Sequence, residues 1–188
     1  MKFLETSKYT SLKKSTYISL RWIGIIGQLI SINIVYFYFH FNFDFLICNI
    51  IIFIGALSNF YLIFIYKKTQ LSDRSALLFL LIDIFQLGLL IYLTGGIVNP
   101  FVIFLIIPSV FASSNLGLRT NFLIVLATIL IITFLTFYSE ELPEPLNNHF
   151  HVSPYYYYSI PIALVVALVF LNYFAIIFGS ESRLRKEA

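Results

Sequence analysis

The sequence carries little charge and almost no cysteine for its length. Of its 188 residues, 11% are charged and 60% are hydrophobic, and the mean hydropathy is +0.90. A soluble domain of this length could not bury so much apolar surface, because most of its residues would still face water. The single cysteine, Cys48, excludes an internal disulfide and a cysteine-based metal cluster. The composition therefore predicts an integral protein of the lipid bilayer.

Apolar runs long enough to cross a bilayer recur along the chain. Hydrophobic residues surround each run instead of alternating with a period of two, which favours helices over a β-barrel. The fourth run is short and contains Pro108, so we expect a kink or an irregular helix there. The sequence predicts an all-α, multi-pass bundle of six transmembrane helices, at about Tyr17–Phe39, Phe45–Tyr66, Ala76–Leu93, Phe101–Leu116, Asn121–Tyr138 and Tyr155–Phe178.

Lysine and arginine are absent from the first, third and fifth connections between these runs. Cytoplasmic loops concentrate Lys and Arg, and an even number of spans places both termini on one side. The sequence therefore predicts that both termini are cytoplasmic, with residues 1–16 as a cytoplasmic arm and the connection after the third run on the outer side. All 12 basic residues lie in the other segments: Lys2, Lys8, Lys13, Lys14, Arg21, Lys67, Lys68, Arg74, Arg119, Arg183, Arg185 and Lys186.

Asp83 is an acidic residue well inside a predicted span. An ionisable group at that depth costs several kcal/mol unless it faces the bundle interior and finds a partner. Gln86 follows at i+3 on the same helical face, and the candidate partners are Arg21 and Gln28 on the first helix. We expect an Arg21–Asp83 pair. Its role stays open between a structural clamp between helices and a proton relay.

The fifth connection is the one outer loop of any size, and it contains two histidines. His149 and His151 lie near Glu140, Glu141 and Glu144. Imidazoles beside carboxylates can bind a metal or respond to pH. No third ligand stands at a defined spacing, so we expect a solvated polar loop and no metal site.

The segment LTGGIVNPF, Leu93 to Phe101, separates the third and fourth runs. Glycine readily adopts the left-handed conformation that ends helices, so Gly95 and Gly96 are expected to stop the third helix. Asn99 suits the N-cap of the fourth helix and Pro100 suits its first position. A plain turn explains all four residues. The same segment could also bind a flat ring, through close approach at the glycines, free N–H groups, the Asn99 amide and the Phe101 face.

The stretch GGIVNPF, Gly95 to Phe101, resembles the GGxxNPF signature in the membrane sensor of RegB/PrrB redox-responsive histidine kinases. The flanks LRWIGIIGQ and DIFQLGLLIYLTGG are similar too, and the resemblance covers about residues 17–188. It implies a six-helix sensor over residues 17–179 that binds ubiquinone through Gly95, Gly96, Asn99, Pro100 and Phe101. Asp83 and Gln86 match the third-span pattern of that family, but no quinone contact is carried to either of them. Asp83 precedes Gly95 by about 18 Å of helix, too far to touch a ring at the turn.

The resemblance also implies a larger signalling system in a bacterial inner membrane. In that family the quinone controls a cytoplasmic kinase, which acts as a homodimer and phosphorylates a response regulator. Residues 180–188 resemble the start of the helical linker to such a kinase module. The sequence has no phosphate-binding glycine loop and no kinase histidine motif, so we expect this chain itself not to be an enzyme. No nucleic-acid partner is expected.

Two other functions remain open. The chain could be a small membrane carrier or membrane-embedded enzyme that uses Asp83 and Gln86 along a path, although one intramembrane carboxylate is few for a transporter and no internal repeat is visible. It could also be a structural subunit in which GGIVNPF is only a turn.

Overall fold

The computed structural model describes residues 12–138, 140 and 153–187, with side chains as far as residue 179. The regular secondary structure of the described chain is helical apart from a two-stranded antiparallel ladder between β1 (Leu12–Lys13) and β2 (Gln70–Leu71). The predicted all-α class is therefore confirmed. The α-helices are α1 (Lys14–Phe37), α2 (Phe45–Phe64), α3 (Asp73–Leu93), α4 (Ile106–Asn115), α5 (Leu118–Phe137) and α6 (Pro154–Glu187).

Five helices of the described chain are long and apolar enough to cross a bilayer, namely α1, α2, α3, α5 and α6. The protein is thus a multi-pass membrane protein. The fourth predicted span differs, because it is a shorter apolar helix over Pro100–Asn115. It begins as a 3-10 helix (Pro100–Leu105) and continues as α4. The expected irregularity at Pro108 is present, since a proline is tolerated in the first turn of α4 but would clash with an α-helical turn before it.

The N-terminal strand, the α2–α3 connection and the α4–α5 connection lie together at one end of the bundle. β1 pairs with β2, and the Lys14 ammonium donates to the Tyr66 carbonyl at 2.6 Å. Asp73 accepts a hydrogen bond from the backbone N–H of Gly117 at 3.1 Å. We call this the basic end, because these connections and the helix starts beside them carry six basic residues: Lys13, Lys14, Lys67, Lys68, Arg74 and Arg119.

The opposite end contains the α3–α4 turn and the start of α6. The backbone N–H of Glu140, just after α5, donates to the Tyr92 carbonyl at 3.1 Å near the end of α3. The Tyr157 hydroxyl on α6 donates to the Thr136 carbonyl at 2.5 Å. We call this the turn end. Connections therefore alternate between the two ends along the chain.

Helix α3 has the most packing partners at the centre of the bundle. It contacts α2, α5, α4 and the 3-10 helix Pro100–Leu105, and its buried face includes Leu80, Ile84 and Ile91. Helix α6 packs mainly on α4, whereas α1 packs mainly along α2. Helix α1 packs on α2 more than on α4, which it meets where the Tyr17 ring stacks on Phe111 with centroids 6.2 Å apart. A cleft therefore remains between α1 and α4, with α3 as its floor.

The contact between Asp73 and Gly117 should stabilise the basic end. Asp73→Ala is expected to lower the free energy of unfolding by about 1–2 kcal/mol, since it removes a hydrogen bond to a charged acceptor and a negative charge from the first turn of α3. Asp44→Ala is the matched control, because Asp44 precedes α2 without a side-chain cap bond. Equilibrium unfolding in mixed micelles measures both. Equal effects of the two variants would contradict a specific role for Asp73.

Candidate functional site

The glycine pair ends α3 as expected from the sequence. Gly95 has φ of 111° and Gly96 has φ of 58°. Both lie in the left-handed region, where a side chain is disfavoured and glycine is not. The chain then forms a 3-10 turn over Gly96–Val98 before it enters the 3-10 helix Pro100–Leu105. Gly95 and Gly96 shape the turn but do not line the cleft.

Asn99 caps the 3-10 helix, and both hydrogens of its side-chain amide are used by the turn. Its side-chain oxygen accepts from the Phe101 N–H at 2.9 Å. Its side-chain nitrogen donates to the carbonyl and hydroxyl oxygens of Thr94 at 2.9 and 2.7 Å. The N-cap role and Pro100 at the first position are as predicted. Both amide hydrogens are used within the turn, so Asn99 has no spare donor for a ligand.

The prediction of free N–H groups at the start of the fourth helix is wrong. The Phe101 N–H is bonded to the Asn99 side chain, and the Val102 N–H donates to the Asn99 carbonyl at 3.0 Å. Pro100 has no N–H. A 3-10 start satisfies these groups earlier than an α-helical start would, because it closes i→i+3 bonds. The turn therefore presents an aromatic face to the cleft and no free donor among Pro100, Phe101 and Val102.

The cleft between α1, α3 and the 3-10 helix–α4 segment has a volume of about 660 Å³. Asn99, Pro100 and Phe101 line it near the turn end, and Phe101 stacks on Phe104 with ring centroids 5.8 Å apart. Asp83, Gln86 and Arg21 line it as well, nearer the basic end. The structure thus brings the turn residues and the polar residues Arg21, Asp83 and Gln86 to one cleft. Their spacing in the sequence had indicated two separate regions.

Arg21 and Asp83 form an ion pair inside the bundle. The guanidinium Nη2 lies 2.7 Å from the carboxylate Oδ1, and Nε donates to the same oxygen at 2.9 Å. The Tyr17 hydroxyl donates to the other carboxylate oxygen at 2.5 Å. Arg21 also donates to Ser58 and Asn59 of α2 at 2.5 and 3.5 Å. The expected pair is present, and it joins α1, α2 and α3.

This pair is well shielded and has its hydrogen bonds satisfied. Only 4% of the Arg21 side chain and 19% of the Asp83 side chain are exposed. The guanidinium carbon lies 5.6 Å from the Tyr17 ring centre and 5.9 Å from the Phe79 ring centre. One cation beside one anion makes the group neutral overall, which lowers the cost of keeping charge inside a membrane.

Sequence reasoning missed Tyr17, Ser58 and Asn59 as partners of the ion pair. Tyr17 lies four residues before Arg21 on α1, and this spacing places both side chains on one helical face. This spacing could have predicted Tyr17 as a partner of the ion pair. The sequence does not show which turn of α2 lies beside Arg21 of α1, so Ser58 and Asn59 could be identified as partners only from the packed structure.

Gln28 and Gln86 form a second polar contact across the cleft. The Gln86 amide nitrogen donates to the Gln28 amide oxygen at 3.0 Å. Both side chains are half-buried and line the cleft. Gln86 lies about 4.5 Å along α3 from Asp83 and about 12 Å from Thr94 at the turn. The contact therefore lies between the ion pair and the turn.

The predicted polar loop with His149 and His151 lies outside the described residues, as do Glu141 and Glu144. Within the ranges 12–138, 140 and 153–187, no group of three or more His, Cys, Asp and Glu side chains is arranged to hold a metal ion.

Comparison with known proteins gives one informative match. No family model and no solved structure matches the chain. The sensor histidine kinase RegB of Cereibacter sphaeroides is 26% identical over 161 residues, which is 85% of this chain and 35% of RegB. The chain is similar to the membrane sensor part of RegB. The resemblance predicted from GGIVNPF and its flanks is thereby confirmed. The chain spans about a third of the length of RegB, and the match extends over most of the bundle and not over one helix pair.

Proposed function

We propose that this chain is the membrane sensing part of a two-component system and that it binds ubiquinone in the cleft between α1, α3 and α4. The proposal rests on one observation: residues of the turn that resembles RegB line one end of a cleft that runs into the bundle. Its volume of about 660 Å³ lies within the range of small-molecule sites.

Access to the cleft suits a lipid-soluble ligand. Its rim carries exposed apolar side chains from both flanking helices, including Ile23 of α1 and Phe104 and Ile107 of the facing segment. In a bilayer these side chains face hydrocarbon, so a ligand could enter sideways from the membrane without crossing water. Phe101, 38% exposed beside the turn, offers a ring face on which a quinone could stack.

The proposed topology has six crossings with both termini cytoplasmic. The six 3-10 residues of Pro100–Leu105 cover about 12 Å and the ten residues of α4 cover about 15 Å. Together they approach the thickness of the hydrocarbon, about 30 Å. The wider rise of the 3-10 helix therefore supports a complete fourth crossing by a short segment. The basic end would then face the cytoplasm, as the distribution of Lys and Arg suggests.

Helix α6 is the proposed output. It starts at the turn end, packs on α4, and continues unbroken through Glu187. Its 34 residues measure about 51 Å, more than the bilayer requires, so its last turns would project beyond the membrane at the basic end. A kinase module, its homodimeric partner and a response regulator belong to this proposal by analogy with RegB. A signal requires that quinone and quinol bind two bundle conformations with different free energies.

The carrier alternative is less well supported. Asp83 is bonded to Arg21 and Tyr17 and is not free to accept a substrate.

The test is direct titration of the purified chain in nanodiscs with decylubiquinone. Trp22, the single tryptophan, neighbours the cleft residues Arg21 and Ile23 and reports binding by fluorescence quenching. Phe101→Ala is expected to weaken binding about three- to tenfold, the value of one aromatic stacking contact. Phe137→Ala is the matched control, because Phe137 is an exposed aromatic residue at the end of α5 outside the cleft. Absence of saturable quenching in the wild type would refute the quinone proposal.

A further inference from the structure

We propose that the ligand head group is held at mid-depth in the cleft by the amide pair Gln28–Gln86, and not at the turn. This inference rests on the proposed function and assigns the hydrogen-bonding groups of that same site. The quinone would lie along the cleft with one carbonyl against the amides, while Phe101 and Phe104 would flank the side of the ring nearer the turn.

The two amides line the cleft, and the pair has unused hydrogen-bonding capacity. The single bond between Gln86 and Gln28 uses one of four amide hydrogens and one of two amide oxygens. Neither side chain makes a second hydrogen bond to any of the described residues. This holds whichever way the two amides are turned, because one N–H···O contact always leaves at least one donor and one acceptor free.

Unsatisfied amides are costly at this position. Water is absent from the hydrocarbon core, and an unpaired polar group there loses several kcal/mol relative to a bonded one. A ligand with a carbonyl acceptor would remove that cost, whereas lipid tails cannot. Since the turn residues Asn99, Phe101 and Val102 have already used their donors, the glutamine pair is the better donor site for a carbonyl oxygen.

The Gln86 side chain packs closely against Gly55 of α2. A β-carbon at Gly55 would lie 2.7 Å from Oε1 and 2.8 Å from Nε2 of Gln86, so the amide packs directly on the glycine backbone. This close approach leaves the amide little room to withdraw toward α2. The contact with Gly55 and the bond to Gln28 together restrict the orientation of the amide, which reduces the ordering cost of binding.

The same pair can discriminate the two redox forms. A quinone carbonyl only accepts hydrogen bonds, whereas a quinol hydroxyl also donates one. The free amide hydrogen would serve the quinone, and the free amide oxygen would serve the quinol. The two amides would have to reorient when quinone is replaced by quinol, and this would change the contact between α1 and α3. The redox state of the ligand could thereby alter the conformation of the bundle.

The experiment compares Gln28→Met and Gln86→Met with Asn33→Leu in the Trp22 quenching titration. Methionine keeps the length and flexibility of glutamine without its polar atoms. Asn33 is an exposed amide on α1 whose hydrogen bond is local, to the Leu29 carbonyl. Each methionine variant is expected to weaken decylubiquinone binding about five- to tenfold, and the double variant little further, since the amides act as a unit. Asn33→Leu should bind as the wild type does.

Labelling with an azido-quinone provides a measurement that does not depend on variant folding. Crosslinks on α1 and α3 around Gln28 and Gln86 would support the inference. Crosslinks confined to Asn99–Phe104, or wild-type affinity in both methionine variants while Phe101→Ala binds weakly, would overturn it and leave the proposed function standing. A wild type that neither binds nor is labelled would refute both.

Discussion

Arg21→Met alone is expected to lower the free energy of unfolding by about 3–5 kcal/mol. The substitution leaves the Asp83 carboxylate inside the bundle without its cation, and an uncompensated buried charge is costly. It also removes the hydrogen bonds from Arg21 to Ser58 and Asn59, which are two of the polar contacts between α1 and α2. Equilibrium unfolding of the purified protein in mixed micelles, titrated with sodium dodecyl sulfate, measures the loss.

The double variant Arg21→Met with Asp83→Leu is the decisive control. Replacing both ions by apolar side chains removes the desolvation cost together with the attraction, so most of the lost stability should return. A double variant as unstable as the sum of the two single variants would contradict this account. Quinone affinity in the double variant separates two roles of the pair. Unchanged affinity marks a clamp between helices, whereas lost affinity at restored stability marks a part of the site.

Asn99→Ala is expected to lower the free energy of unfolding by about 1.5–3 kcal/mol. The reason is the loss of three hydrogen bonds, one to the Phe101 N–H and two to Thr94, at a side chain that is only 7% exposed. The same micelle titration measures the effect. Asn33→Ala is the matched control, since its exposed amide makes one local bond and should change stability by about 0.5 kcal/mol or less.

The Asn99 result has a consequence for quinone binding. If Asn99 positions the turn, Asn99→Ala should lose stability and quinone affinity together, whereas Phe101→Ala should lose affinity alone. Asn99→Asp keeps the acceptor for the Phe101 N–H and loses the donors to Thr94, so it should fall between the wild type and Asn99→Ala. Full stability of Asn99→Ala with weakened binding would show that the amide contacts the ligand directly.

Several features of this protein were predictable because they depend on local chemistry. Glycine is the residue that accepts positive φ without strain, so Gly95 and Gly96 indicated the end of α3 before any packing was known. Asn99 and Pro100 likewise indicated the start of the next helix. Asp83 required a partner because hydrocarbon does not solvate a carboxylate, and Arg21 was the basic residue of a predicted span at a matching depth.

The site itself could not be assembled in this way. The linear distance along α3 from Asp83 to Gly95 suggested two separate regions, but one cleft between α1 and α4 is lined both by Asp83 and by residues 99–101 of the turn. Likewise, the irregular 3-10 start of the fourth helix consumed the N–H groups that an α-helical start would have left free. The first outcome depends on how helices pack side by side, which the order of residues within one helix does not contain. The second depends on the local choice between a 3-10 and an α-helical start, which the residue types allowed either way.

The sequence by itself determined the membrane class, the helical secondary structure, the turn at GGIVNPF and the need for a partner at Asp83. Each follows from the solvation of single residues or from the conformations of neighbouring ones. Only the tertiary structure decided that Tyr17, Ser58 and Asn59 complete the ion pair and that Gln28 meets Gln86 across the cleft. The physical reason is that hydrogen-bond satisfaction inside a bilayer is settled between helices, where distance along the chain carries no information about distance in space.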